Sequence, residues 1–308
     1  MNSNIYKLKF KKDLINNSDT FFRTDNTFTS FKSKDGILYL IYVSHIVLKH
    51  NTIVSYNLID DKKLNEIRKA HNESISNIRN FFDKNSNIDL LLSISPYDSN
   101  IKIWNVTNFE CLVNIIEIYE NCIYSACILS DNKKIYVITG SNNNSNLNPD
   151  LIKVFDFKGN ELQKIKNSKD NIVFIDIYYD NELSKNYIIT GNEGYVKSFI
   201  FGDNILYYKY NDNSQKNHYS VIINNNKGIV QLIESSGDGN IRIWNFHTGE
   251  LLSKILINKK RGLCGICLWN NEYLVVGCSN KSIKIVELNN TKIIKELNGH
   301  KGLILRKK

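Results

Sequence analysis

The stretch SSGDGNIRIWNFHTGELLSKI, residues 235–255, carries the pattern that decides the fold. A polar turn, SSGDGN, runs into a short alternating segment, IRIWNF. A second polar turn, HTGE, runs into another, LLSKI. Gly, Asn and Asp supply the positive φ that tight hairpin turns require. Period-2 alternation, as at Ile241 and Ile243, places β-branched side chains on one face of a strand.

The pattern repeats. Near-copies of IRIWNF occur as IVSYNL (53–58), IKIWNV (101–106), IKVFDF (152–157), VKSFIF (196–201) and IKIVEL (283–288). Their fourth position holds Tyr56, Trp104, Phe155, Phe199, Trp244 and Val286, at spacings of 48, 51, 44, 45 and 42 residues. An apolar strand and a tight turn precede each copy, as in YVITGSNNN and YIITGNEG. A second turn and strand follow several, as in FKGNELQKI and LNNTKIIKEL. No stretch shows helical periodicity over three turns. Only 2 prolines are present to interrupt ladder hydrogen bonding. A period of about 40–45 residues with four strands per repeat is that of a β-propeller blade.

At these residues the chain resembles the WD40 repeat family, over about residues 21–300. The resemblance implies a Gly-His pair, a strand Ser or Thr, a turn Asp and a terminal Trp-Asp in each repeat. Gly299-His300 matches the pair, and His71 and His218 match its histidine. Asp98 and Asp238 match the turn aspartate. Trp104 and Trp244 match the tryptophan, and Asp156 beside Phe155 matches the terminal aspartate. No repeat reads Trp-Asp; the nearest are Trp104-Asn105 and Trp244-Asn245. A buried His bridging the turn Asp and the strand hydroxyl, with the Trp beside it, locks a blade's turns together. These positions are read as structural.

The expected fold is all-β, one WD40-like propeller domain over residues 1–308. Residues 21–298 hold six readable repeats. Residues 1–20 form a closure segment with a strand candidate at 4–11, and residues 299–308 begin an incomplete last repeat. A seven-bladed plan with a defective last blade is preferred to a six-bladed or unclosed ring. An unclosed ring would leave sheet edges exposed.

The start of the chain, MNSNIYKLKFKKD, has no apolar signal region, and no run of about 18 uncharged apolar residues occurs. The expected location is intracellular, cytoplasmic or nuclear, with six reduced, mostly core cysteines. CGIC (264–267) falls in a predicted inner strand and has no second cysteine pair to complete a zinc site. The net charge of +9 is spread along the chain, without a long basic block.

No Ser-His-Asp arrangement, G-x-S-x-G or phosphate-cradling loop is evident. His45, His50 and His247 stand isolated, and Asp60, Asp61, Glu234 and Asp238 fall in or near turns and are read as solvated or structural. No catalytic residue, cofactor or metal site is expected. The preferred function is a non-catalytic protein–protein interaction scaffold or adaptor that binds proteins or peptides through propeller loops. Asn192, Glu193, Asp238 and Lys281 are expected to line its top face. The alternatives are a basic propeller contacting RNA and a ubiquitin-ligase substrate adaptor. The Trp-Asp-x-Arg of such adaptors has no match here; the nearest are Asp156-Phe157-Lys158 and Asn105-Val106-Thr107.

Overall fold

Each polar turn reverses the chain into an antiparallel partner, and the strands gather in fours. The computed structural model describes residues 28–46, 49–116, 123–131, 133–141, 151–166, 171–203, 205–214, 216–259 and 262–298. Blade 1 holds β1 (Phe28–Lys32), β2 (Leu38–Ile46), β3 (Lys49–Asn57) and β4 (Lys62–Ile67). Blade 2 holds β5 (Asn77–Asp83), β6 (Ile88–Ser95), β7 (Asn100–Asn105) and β8 (Cys111–Ile116). Blade 3 holds β9 (Ile123–Asp131), β10 (Lys134–Ser141), β11 (Leu151–Asp156) and β12 (Glu161–Lys166). Blade 4 holds β13 (Phe174–Asp180), β14 (Lys185–Gly191), β15 (Val196–Ile200) and β16 (Ile205–Tyr210). Blade 5 holds β17 (His218–Asn226), β18 (Ile229–Ser236), β19 (Asn240–Asn245) and β20 (Leu251–Leu256). Blade 6 holds β21 (Leu263–Trp269), β22 (Tyr273–Cys278), β23 (Ile283–Glu287) and β24 (Lys292–Leu297).

Every blade is a four-stranded meander in chain order, and the six follow one another around a β-propeller ring. Among the described residues there is no helix long and apolar enough to cross a membrane.

The repeated hexamer is the third strand of each blade, and its fourth residue has a fixed structural role. In all six blades the pairing of third and fourth strands shifts register at that residue: Tyr56, Trp104, Phe155, Phe199, Trp244 and Val286. A bulge here bends the strand into the following turn. The turn then takes a positive φ at Asp61, Phe109, Gly159, Gly202, Gly249 and Thr291.

The residue that closes the strand also explains the missing Trp-Asp. The side-chain oxygens of Asn57, Asn105, Asp156 and Asn245 accept the backbone N–H two residues on, at 2.9, 2.9, 2.8 and 3.0 Å. Such a turn needs a side-chain oxygen at that position, and Asn supplies it as well as Asp. Asp156 is therefore a half-buried turn cap.

The cores lie between blades. One apolar cluster joins each successive pair, from blades 1 and 2 through blades 5 and 6. The bulge residue packs toward the preceding blade: Phe155 joins the cluster with blade 2, and Trp244 the cluster with blade 4. Second strands such as β14 are buried on both faces because a blade covers each side.

Among the described residues, no such cluster joins blade 6 to blade 1. There β22 alternates buried and half-buried residues, and Tyr56 is only half-buried. The expected closing strand at 4–11, Gly299, His300 and the incomplete last repeat lie outside the described residues.

The recurrent Gly at the end of a second strand marks a close approach. A Cβ on Gly191 would collide with the Phe174 ring and lie 2.6 Å from the His218 carbonyl oxygen. Gly191→Ala is expected to destabilise the ring by about 1–3 kcal/mol in urea unfolding. An unchanged midpoint would show that the blade 4–5 seam can yield there.

Candidate functional site

Blade 2 carries a complete polar lock. His71 precedes β5, Ser93 lies in β6, Asp98 in the β6–β7 turn and Trp104 in β7. Trp104 Nε1 donates to Ser93 Oγ at 2.8 Å, and Ser93 Oγ lies 2.7 Å from His71 Nε2. An indole N–H can only donate, so Ser93 Oγ accepts from Trp104 while its hydroxyl shares a second hydrogen bond with His71 Nε2. Nδ1 faces Asp98 Oδ2 at 3.6 Å, a charge contact longer than a hydrogen bond. Asp98 also accepts the Asn72 and Asn100 N–H groups at 2.9 and 3.1 Å, tying two turns together.

Burial lowers the His71 pKa below its ordinary 6.5, against the opposing pull of Asp98. Burial pushes Asp98 up, but the nearby polar groups of His71 and Ser95 and the Asn72 N–H outweigh it and hold the carboxyl at about 2.

Blade 5 rebuilds the lock with charge. Glu234 of β18 stands where Ser93 stands in β6, each two strand positions from the residue paired with the tryptophan. Glu234 Oε1 accepts Trp244 Nε1 at 3.2 Å, and Oε2 contacts His218 Nδ1. Both Glu234 and Arg242, its cross-strand partner, are fully buried. The Arg242 guanidinium lies among three carboxylates: Glu234 at 3.7 Å, Asp212 at 2.7 Å and Asp238.

Asp238 occupies the expected turn, but its partner is Arg242, where the resemblance implied His218. Burial would raise its pKa, yet Arg242 and Asn240 hold it well below the carboxylate range. The reading of Glu234 as a turn carboxylate is corrected: it is a buried strand residue, made tolerable by the adjacent guanidinium. The signal was a lone acid in the apolar strand LIESS opposite an Arg. In four other blades the Arg242 position holds Lys102, Lys153, Lys197 and Lys284.

All four residues expected on the top face lie in turns joining second to third strands, but only three present their side chains to solvent. Glu193 and Lys281 are exposed, and Asp238 is half-buried in its ion pairs. Asn192 is a correction: it is fully buried, donating to the Asn171 carbonyl at 3.2 Å and contacting Thr190 Oγ1. It shapes the turn from beneath.

Glu193 borders a cleft of about 620 Å³ between this turn and the blade 4–5 connector. Its other walls are Tyr195, Asn211, Asn213, Ser214 and Lys216. The walls are pinned together: Glu193 bridges Asn217, and Gly194 N donates to the Lys216 carbonyl at 3.0 Å. On blade 5, Ser214 Oγ donates to Asp238 Oδ2 at 3.2 Å, so the charged lock supports the connector.

His247 is not isolated. Its Nε2 lies 3.1 Å from Asp180 Oδ2, and its Nδ1 lies 3.2 Å from the Tyr207 hydroxyl. The Tyr207 ring in turn packs on Tyr187, centroids 4.9 Å apart. Burial raises Tyr207 and takes Tyr187 up to about 12, so both phenols stay protonated. The chain ties blade 5 to blade 4 and supplies no phenolate nucleophile. Cys267 and Cys111 are exposed where core cysteines were expected. Among the described residues no cluster of His, Cys, Asp or Glu is placed to hold a metal ion.

Two outcomes follow from the locks. Arg242→Met leaves the buried Glu234 without its guanidinium and is expected to cost about 3–5 kcal/mol in urea unfolding. The double change Glu234→Ser with Arg242→Lys, which copies blade 2, should cost clearly less; equal losses would contradict the pairing. In acid, the unfolded chain protonates His71 from 6.5 downward while the folded chain resists. Asp98 adds a second loss between its ordinary 3.8 and about 2. The wild-type advantage over His71→Gln should therefore shrink as pH falls below 6.5. An advantage that grows would reverse the assignment.

No protein-family model matches the chain, and no curated protein matches it.

Proposed function

We propose that this propeller is a WD40-like, non-catalytic interaction platform that binds a protein or peptide partner in the top-face cleft at the blade 4–5 junction. The observation that supports this reading is the cleft itself. Its two walls are held together by main-chain bonds, so it is formed before any partner arrives. Preorganised walls avoid part of the ordering cost of binding. The turns that form it lie outside the inter-blade cores and can vary without disturbing them.

The RNA reading gains less support. Much of the positive charge at the repeated third-strand position is engaged within the ring. Lys102 donates to the Ala70 carbonyl at 2.7 Å, Lys284 to the Ile257 carbonyl at 2.8 Å, and Lys153 pairs with Glu161 at 3.3 Å.

Two exposed glutamates on opposite faces of blade 4 test the platform. Glu193 lies in the β14–β15 turn and Glu182 in the β13–β14 turn. In affinity purification of the full chain from its native cell, Glu193→Trp should reduce the co-purifying partners by more than about tenfold. Glu182→Trp should leave them unchanged. Partners lost with Glu182→Trp, or with neither change, would place binding elsewhere.

A further inference from the structure

The first strands of successive blades pack on one another around the axis of the ring, and four of them bring a polar set to one level. Thr29, Arg79, Cys127 and Asp176 pair with Ile41, Leu92, Ile138 and Ile189 of the second strands. In each blade that second-strand residue faces the position just before the bulge. All four border an axial cavity of about 120 Å³, together with Asn80, Phe81 and Ile128.

Arg79 is a mostly buried cation with little to hold it. Its side chain is 13% exposed and that of Asp176 16%, so neither charge is well solvated. Arg79 Nη1 stands 3.6 Å from Asp176 Oδ1, beyond the roughly 2.7–2.9 Å of a charge-assisted hydrogen bond. Nη2 donates to Ser125 Oγ at 3.4 Å, and that oxygen already accepts the Ile175 N–H at 3.1 Å. Nε is buried with no hydrogen-bond partner among the described residues. Arg242 shows the contrast: its Nε lies 2.7 Å from Asp212, and its Nη2 contacts Asp238. A guanidinium is a fork of N–H donors, and leaving them unmatched away from water is costly. Asp176 Oδ1 also accepts the Ile177 N–H at 3.0 Å, which fixes the carboxylate. Thr29 Oγ1 donates to Asn80 Oδ1 at 2.7 Å, which leaves the Asn80 NH2 group as a further donor.

We propose that the axial cavity binds a free α-amino acid with a small side chain, its carboxylate on the Arg79 guanidinium and its ammonium on the Asp176 carboxylate. A cation and an anion held side by side, beyond hydrogen-bond distance of each other, complement a ligand whose own two charges are neighbours. The guanidinium fork matches a planar carboxylate with two parallel hydrogen bonds. A lone carboxylate would gain Arg79 but meet Asp176, and a lone amine would meet the reverse. Phe81 and Ile128 give the aliphatic part an apolar wall. The volume sets the size, because a cavity of roughly 150 Å³ admits benzene, a ligand of about six heavy atoms, as alanine is. None of these residues borders the blade 4–5 cleft, so the site stands or falls apart from the platform.

The test is isothermal titration calorimetry on the full chain with L-alanine, acetate, methylammonium, L-leucine and inorganic phosphate. L-alanine should bind saturably. Acetate and methylammonium, each lacking one charge contact, and L-leucine, lacking room, should bind at least about tenfold more weakly. Arg79→Gln should weaken L-alanine and acetate alike, by about tenfold or more. Asp176→Asn should weaken L-alanine but leave acetate unchanged or tighter, a split that a loss of structure would not produce. Circular dichroism verifies that the variants are folded; where one is not, the wild-type probe series decides.

The inference is overturned if L-alanine does not saturate, or if acetate, methylammonium or L-leucine matches it. It is also overturned if folded Arg79→Gln binds L-alanine unchanged, or if Asp176→Asn lowers L-alanine and acetate equally. Phosphate as the tightest probe would make Arg79 a general anion contact and overturn it as well. Partners lost with Glu193→Trp while L-alanine does not bind would keep the platform and remove the axial site. Saturable L-alanine binding with partners indifferent to Glu193→Trp would do the reverse.

Discussion

Each four-stranded sheet here has two faces, and both must be covered. A blade cannot do this alone, because its apolar residues point to both sides of the sheet. The cores therefore form between blades, where Ile, Val and Leu of one second strand meet the bulge residue of the next blade. Removing apolar area from water contributes on the order of 25 cal/mol per Å², and every blade draws that contribution from its neighbours. The Phe174–Gly191–His218 contact shows how closely they approach. The half-buried face of β22 and the half-exposed Tyr56 mark the seam where no described blade completes the cover.

Covering both faces by apolar packing leaves the blade ends to be ordered by polar contacts. Blade 2 uses a neutral chain of indole, hydroxyl and imidazole ending on Asp98. Blade 5 uses a buried glutamate, and that choice propagates. A buried carboxylate requires a cation, Arg242 provides it, and Arg242 recruits Asp212 and Asp238. Asp238 then accepts from Ser214 of the connector that walls the cleft. One acid in a strand is thus linked, contact by contact, to the shape of a surface site.

Much of the architecture was legible because a blade is a local object. The hexamer, its bulge residue and the flanking turns lie within about 40 residues of one another, and period-2 alternation reports strands directly. The resemblance implied the grouping of His71, Asp98 and Trp104, whose contacts stay within one repeat. Reading Glu234 as a turn acid failed because a strand two-sided in burial carries no alternation to mark its inward positions. The family pattern also has no slot for an acid there. Asn192 was misplaced for a related reason: one residue of a tight turn points inward while the next, Glu193, points out.

The sequence by itself determined the strands, the turns and the repeat, since hydrophobic periodicity and turn chemistry act between near neighbours. It also determined that Asn would serve where Trp-Asp was absent, because a side-chain oxygen is all that the turn requires. Only the tertiary structure decided which charges meet. His247 reaches Asp180 and Tyr207 across a blade seam, and Tyr195, Lys197 and Lys209 converge only when β15 pairs with β16 beside the connector. Those encounters depend on how blades twist and pack, and that packing is a property of the whole ring.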